Sequence, residues 1–181
     1  MRLYLVRHLA PQVAPGVCYG RTDLTVDPRL QALALPALRQ RLPLGAPMFS
    51  SPLRRCAELA AALGGAAVQY DPRLAELDFG DWEMRRWDDI ERAGIDAWAA
   101  DMAGYRPGGG ESVTAMARRV AAFYADCMLS QTPGAIVICH AGTIRLLLAR
   151  ARGLGLEAMA LEAAQRPHAI AYGETVIIDC V

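Results

Sequence analysis

Short apolar segments alternate with longer segments of helical periodicity along most of the chain, and this alternation restricts the fold more than any other feature. A strand buried on both faces gives a nearly continuous apolar run, as in Leu3–Val6 and Ala135–Cys139. Helices between such strands cover the two faces of a largely parallel sheet. We therefore predict an α/β fold, a three-layer α/β/α sandwich with a mostly parallel central sheet.

The predicted elements follow from these two patterns. The predicted strands are Leu3–Val6, Met48–Ser50, Ala67–Tyr70, Ala135–Cys139 and Thr175–Cys180. The predicted helices are approximately Pro28–Arg41, Leu53–Leu63, Val113–Leu129 and Ile144–Arg152. The segment 78–110 breaks the alternation with short helical pieces, all three tryptophans and a glycine-rich end. We predict that it forms a small helical cap over one end of the sheet.

Length, charge and cysteine content restrict the class of protein. A length of 181 residues is typical of one domain, so we expect a single domain over residues 1–181. Basic and acidic residues balance at 19 each, which predicts no general attraction to nucleic acid or to membranes. Five cysteines without a CxxC pair, no signal-like N-terminus and no long apolar run predict a cytoplasmic protein with reduced thiols.

Basic side chains and histidines follow three of the predicted strands. Arg7 and His8 follow the first strand, and His140 follows the fourth. Arg54 and Arg55 come shortly after the second. Ligands of parallel sheets bind beyond the carboxyl ends of the strands. An anion bound there would offset the repulsion among the basic side chains and histidines. It would also face the N-terminus of the helix that follows the fourth strand, which favours negative charge. The pattern predicts a phosphate site.

A proton donor for the leaving group is expected beside this phosphate. The turn-rich segment "RLAELDFGDWE" supplies Glu76, Asp78, Asp81 and Glu83. A carboxyl group near a bound dianion has its pKa raised by like charge, so it stays protonated and can act as a general acid. The residues alone leave open which carboxyl does so.

Five motifs, in order, resemble those of the histidine phosphatase superfamily, also called the phosphoglycerate-mutase-like family. They are "LVRHL" at 5–9, "SPLRR" at 51–55, "LAELDFGDWEM" at 74–84, "RPGGGES" at 106–112 and "HAGTIR" at 140–145. Each motif alone is weak, but five in order over most of the chain make the resemblance specific. The resemblance implies a phosphoglycerate-mutase-like sandwich. It also selects Arg55 over Arg54 as the phosphate ligand, and Glu76 over Glu83 as the acid.

The resemblance implies a role for each matched residue. His8 would be the nucleophile and form a phosphohistidine. Arg7, Arg55 and His140 would bind the oxygens of the transferred phosphoryl group. Of these three, the resemblance implies that His140 is a catalytic residue and that the two arginines are phosphate-binding residues. Glu76 would protonate the leaving group and then activate water. No metal and no cofactor are implied, because arginines and a second histidine stabilise the charge of the phosphoryl group.

Three family glycines are replaced in this chain, by Leu9, Met84 and Ala141. If the glycine after the first histidine allows close approach to phosphate, Leu9 is expected to weaken binding or narrow the entrance. Ala141 is the smaller change.

Further residues are candidates for substrate contact, or have simpler explanations. The candidate contacts are Tyr19, Arg21, Thr22, Glu83, Ser112 and His168. The tryptophans are expected to form a small core that anchors the cap. Arg118 and Arg119 are expected to be exposed charge, and the cysteines buried apolar side chains.

The predicted function is a metal-independent phosphomonoester hydrolase that acts on a small phosphorylated metabolite. The short length and the "GGES" motif most resemble α-ribazole-5′-phosphate phosphatases of cobalamin biosynthesis. Two alternatives stay open, a phosphoglycerate mutase and a non-catalytic module that binds a phosphorylated ligand. A metal triad of His8, His140 and Glu76 is disfavoured by the neighbouring arginines. A homodimer is an expectation from the resemblance alone.

Overall fold

The computed structural model describes residues 1–64, 67–130, 132–166 and 169–180. Within these residues the strands are Arg2–Arg7 (β1), Met48–Ser50 (β2), Val68–Tyr70 (β3), Gly134–Cys139 (β4) and Thr175–Asp179 (β5). The α-helices are Pro28–Arg41 (α1), Arg54–Gly64 (α2), Arg92–Ala100 (α3), Val113–Leu129 (α4), Ala141–Ala151 (α5) and Leu156–Gln165 (α6). Every predicted strand and helix is present, with small shifts of the bounds. The largest shift is at α5, which begins three residues earlier than predicted, at Ala141 rather than Ile144.

Helix α6 was not predicted, and its composition explains why. Its sequence is "LEAMALEAAQ", in which alanines occupy both the buried and the exposed sides. Buried Met159, Ala160 and Ala163 face the core, but small residues on every side of a helix give little apolar periodicity. High intrinsic helix propensity is the signal that could have identified it.

The five strands form one sheet that is mostly parallel, as predicted, and their order is β3-β2-β4-β1-β5. β1, β2, β3 and β4 are parallel, and β5 pairs with β1 in the antiparallel direction. Leu3 and Leu5 of β1 enter the core beneath α4, α5 and α6, while Val6 enters the core beneath α1 and α2. Side chains alternate between the two faces of a strand, so burial on both faces yields the predicted three layers.

The central position of β1 and β4 determines where the site forms. Arg7 pairs with Cys139 at the carboxyl end of both strands. The backbone N–H of His8 then donates to the carbonyl of Cys139 at 3.0 Å. The residues that follow the two strands, His8 and His140, are therefore neighbours at one edge of the sheet.

The cap consists of short 3₁₀ turns and α3, and it packs around aromatic side chains. Trp82 is buried with Cys18 and Ile90, as expected for a small cap core. Trp87 differs, because it is 36% exposed and stacks on Trp98 with ring centroids 6.1 Å apart.

Among the described residues, no helix combines the length and apolar character needed to cross a bilayer.

Candidate active site

His8 is placed by the end of β1 with one ring nitrogen already engaged. Its side chain is 2% exposed. Nδ1 lies 2.7 Å from the carbonyl oxygen of Leu9. Because a carbonyl oxygen can only accept, Nδ1 carries the proton and Nε2 keeps its lone pair. The backbone thus selects the tautomer in which Nε2 is a nucleophile.

The environment of His8 also keeps the ring neutral. Burial, assisted by the positive charges of Arg55 and Arg7, lowers the pKa of His8 to about 3. The hydrogen bond to Leu9 acts in the opposite direction but is outweighed. A neutral imidazole is available for attack on an electrophile throughout the physiological pH range.

His140 lies at the N-terminus of α5, directly beyond β4. Its ring centroid is 5.1 Å from that of His8. Burial first, and the charge of Arg55 second, hold the pKa of His140 well below its ordinary value. Nε2 of His140 lies 2.8 Å from the hydroxyl of Ser51, which orients the ring. Sequence reasoning missed this role of Ser51, although it is the first residue of the "SPLRR" motif.

Two arginines whose charges act on His8 each carry a buried donor. Arg55 is fully buried, and its terminal nitrogens donate to the carbonyls of Thr22 at 2.7 Å and Gly20 at 2.5 Å. Nη1 of Arg7 donates to the carbonyl of Ile170 at 2.5 Å. The Nε–H groups of both arginines are buried without an acceptor among the described residues. Buried charged donors of this kind are costly unless a ligand satisfies them, and an anion is the natural ligand.

Glu76 reaches the same site from the segment after β3. One carboxylate oxygen accepts from the backbone N–H of Gly142 at 3.2 Å, and the other from that of Leu77 at 3.0 Å. A Cβ added at Gly142 would collide with the carboxylate of Glu76. A side chain at this position would displace the carboxylate of Glu76, and glycine therefore permits this close approach.

A cavity of roughly 370 Å³ extends outward from these groups. Arg7, His8 and Glu76 lie in its lining, together with Arg145 of α5. Aromatic and apolar side chains form much of the remaining wall, including Tyr19, Phe79, Trp87, Trp98 and Met102. The cavity thus joins an anion site to an aromatic surface supplied largely by the cap.

Tyr172 is a further neighbour that sequence reasoning missed. The guanidinium of Arg7 lies 3.9 Å from the centre of the Tyr172 ring. The hydroxyls of Tyr172 and Tyr19 are 2.8 Å apart. No motif marks Tyr172, because it follows a loop far along the chain from His8.

The remaining candidates for substrate contact occupy different places. Arg21, Thr22 and Glu83 do not line the cavity. The carboxylate of Glu83 instead accepts from the backbone N–H of Arg21 and from the hydroxyl of Thr22, which ties the loop after β1 to the cap. Ser112 lies outside the cavity as well, and its hydroxyl caps α4 by accepting from the N–H of Ala115. His168 lies outside the described residues.

The residues that replace family glycines have separate explanations. Leu9 was expected to weaken phosphate binding or narrow the entrance. Its side chain is instead buried in the apolar core and does not line the cavity. Ala141 is a small residue at the start of α5 and fits beside the site. Met84 adopts a left-handed φ of 63°, the conformation that favours glycine.

The alternative metal triad is not assembled. Among the residues that the structure describes, no group of three or more His, Cys, Asp or Glu side chains is arranged to hold a metal ion. His8 and Glu76 line the cavity and His140 is buried beside it, but the three side chains do not form such a group.

A model of the histidine phosphatase superfamily (branch 1) matches residues 3–171. The chain is 34% identical over 175 residues to an adenosylcobalamin/alpha-ribazole phosphatase of Escherichia coli strain K12, covering 88% of this chain and 83% of the relative. It is 35% identical over 173 residues to a glucosyl-3-phosphoglycerate phosphatase of Mycolicibacterium vanbaalenii, covering 86% and 76%.

A solved structure shows the same architecture. The alpha-ribazole phosphatase from Shigella flexneri superposes with a TM-score of 0.82 at 29% identity. The match covers 99% of this chain and 90% of that structure.

Proposed function

The chain belongs to the histidine phosphatase superfamily and is a phosphatase, as its five motifs predicted, and from this premise we propose that it hydrolyses phosphomonoesters through a phosphohistidine on His8. The observation that carries the proposal is that the Nε–H groups of Arg7 and Arg55, the two cations whose charge acts on the neutral His8, are buried without an acceptor among the described residues. Donors placed where negative charge will reside stabilise phosphoryl transfer without further reorganisation.

The proposed reaction has two steps. Nε2 of His8 attacks phosphorus, and the bond from phosphorus to the ester oxygen breaks while Glu76 gives that oxygen a proton. Glu76 then takes a proton from water, whose oxygen attacks phosphorus and breaks the bond to His8. Inorganic phosphate leaves, and both residues return to their starting states. General acid and base catalysis of this kind contributes typically 10²–10⁴-fold, about as much as a positioned donor.

The aromatic wall supports a substrate with a flat apolar group on its alcohol. Phe79, Trp87 and Trp98 line the cavity beyond the phosphate site. Of the compounds named by the relatives, α-ribazole phosphate carries an aromatic base that could stack there, whereas glucosyl-3-phosphoglycerate does not. We therefore take α-ribazole 5′-phosphate as the first candidate substrate, which would place the enzyme in cobalamin biosynthesis.

The reaction is tested with p-nitrophenyl phosphate in the presence of EDTA. We expect turnover together with acid-labile, base-stable phosphate on the protein, and loss of both in His8→Ala. Arg7→Ala and Arg55→Ala should each lower kcat on the order of 10²–10³-fold. Arg54→Ala is the matched control, because Arg54 is exposed and pairs with Glu58, and it should behave like the wild type. Full activity of His8→Ala would contradict the mechanism.

The same assay separates the competing functions. Phosphate binding without turnover or labelling would favour the non-catalytic module. Transfer that depends on 2,3-bisphosphoglycerate would favour a mutase. Among hydrolytic substrates, a kcat/KM for α-ribazole 5′-phosphate no higher than that for 3-phosphoglycerate would contradict the proposed substrate. Trp87→Ala should then reduce kcat/KM for α-ribazole 5′-phosphate more than for a methyl phosphate ester.

A further inference from the structure

The segment that presents Glu76 is held from behind by a single guanidinium. Nη1 of Arg119 donates to the backbone carbonyls of Arg73 and Ala75, each at 2.7 Å. Nη2 donates to the carbonyl of Glu76 itself at 3.1 Å. Arg119 lies on α4, with a side chain only 18% exposed. The prediction that Arg119 is exposed is therefore wrong. Its guanidinium is mostly buried because the backbone carbonyls of three residues face it and need a hydrogen-bond donor.

Glu111 occupies the rest of this guanidinium. Nε and Nη2 of Arg119 donate to the two carboxylate oxygens of Glu111 at 2.8 Å and 2.7 Å. The pair is bidentate, the strongest geometry that arginine and a carboxylate adopt. All five N–H groups of Arg119 are therefore used, two on Glu111 and three on the carbonyls of one short segment. The three hydrogen bonds from Arg119 hold the backbone at 73–76 in one position.

The "GGES" loop extends this support. The backbone N–H of Glu111 donates to the carbonyl of Asp78 at 2.8 Å. A Cβ at Gly110 would collide with that same carbonyl, and one at Gly108 would collide with the carbonyl of Phe79. The loop thus packs directly against the backbone that follows Glu76. Its position behind the acid explains why Ser112 does not reach the cavity.

Charge balance is a second reason for the pairing. Besides burial and the charge of Arg55, Arg119 is among the cations that lower the pKa of His140. An unpaired guanidinium here would add to the positive charge around the phosphate site. Glu111 offsets that charge locally, so Arg119 can hold the backbone without competing as a phosphate ligand.

We propose that Arg119, paired with Glu111, is the positioning residue for Glu76, and that the pair sets the efficiency of general acid catalysis by this enzyme. The inference rests on the proposed phosphatase mechanism. Arg119 does not line the cavity, so it acts only through the backbone at 73–76. A displacement of about 1 Å at a catalytic group can cost on the order of 10²-fold in rate.

The decisive variant is Arg119→Lys, which keeps the charge but has three donors and no planar fork. It is compared on p-nitrophenyl phosphate, whose leaving group needs little protonation, and on an alkyl phosphate, whose leaving group needs a proton. We expect kcat on the alkyl ester to fall about 10–100-fold and kcat on p-nitrophenyl phosphate to change less than about threefold. In a Glu76→Gln background, Arg119→Lys should cause no further loss on the alkyl ester.

Two companion variants make the test specific. Arg118→Lys, the adjacent exposed arginine on the same helix, is the matched control and should leave both rates unchanged. Glu111→Gln retains the hydrogen bonds from Arg119 to the backbone, so it should show the same selective loss at smaller size even if Arg119→Lys folds poorly. Equal loss on both esters in Glu111→Gln, or full additivity with Glu76→Gln, would overturn the positioning role. Absence of turnover by the wild type would overturn the phosphatase proposal, and the positioning role with it.

Discussion

His8 shows how a single residue is adapted to its chemistry by its surroundings. The carbonyl of Leu9 fixes its tautomer, and burial with Arg55 and Arg7 keeps its ring neutral. A leucine in place of the family glycine does not disturb this arrangement, because the leucine side chain enters the core. The contact that matters at this position comes from the backbone, which every residue type supplies.

The neutral state of His8 has a measurable effect on stability. Its pKa is about 3 in the folded protein and about 6.5 in the unfolded chain, so between these values the unfolded chain binds the extra proton. Stability is therefore lost as pH falls through this window, by about 2 kcal/mol from this residue between pH 7 and pH 5. In His8→Gln, urea unfolding in phosphate-free buffer should show a pH 7 to pH 5 loss smaller by that amount.

The comparison has an internal control. Between pH 8 and pH 9, wild type and His8→Gln should show the same change in free energy of unfolding, because His8 is almost entirely neutral in both states there. An equal loss in the two proteins between pH 7 and pH 5 would mean that folding does not lower the pKa of His8. Its surroundings would then not be what keeps the proposed nucleophile neutral.

At the scale of elements, the turn at Met84 is strained where the family has glycine. Its φ of 63° is left-handed, and its side chain is 52% exposed, so little burial offsets the strain. We expect Met84→Gly to be more stable than Met84→Ala by about 1 kcal/mol in urea unfolding, because alanine keeps the unfavourable φ and glycine relieves it. Equal stability of the two variants would show that the turn does not retain this φ in solution.

The elements also show what could be predicted from sequence. Strands such as β1 and β4 are buried on both faces, so their apolar runs were unambiguous. The motif residues that follow them were placed correctly at one edge of the sheet. Helix α6 was not predicted because alanines on both its buried and its exposed side weaken the apolar periodicity of its sequence. Ser51, Tyr172 and Arg119 were missed for another reason: their roles depend on contacts with distant parts of the chain, and no local pattern encodes such contacts.

At the scale of the whole molecule, the sheet order assembles the site from distant parts of the chain. β1 and β4 are adjacent in the sheet, although more than half of the sequence separates them. The cap is inserted between them in sequence and supplies the aromatic wall of the cavity. The cap and the sheet are then joined through the Glu83 hydrogen bonds and through the "GGES" loop.

These connections predict that cap and sheet unfold together as one domain. All three tryptophans lie in the cap, so tryptophan fluorescence reports on the cap, whereas far-ultraviolet circular dichroism reports mainly on the helices around the sheet. In urea, the two signals should give the same midpoint, because the loop at 106–112 belongs to the packing of both units. A Trp87→Phe variant removes the more exposed indole of the stacked pair. The fluorescence and dichroism midpoints should still be equal in this variant. A fluorescence transition at lower urea than the dichroism transition would instead identify the cap as a separately folding lid, and the aromatic wall as a surface that can open while the phosphate site stays formed.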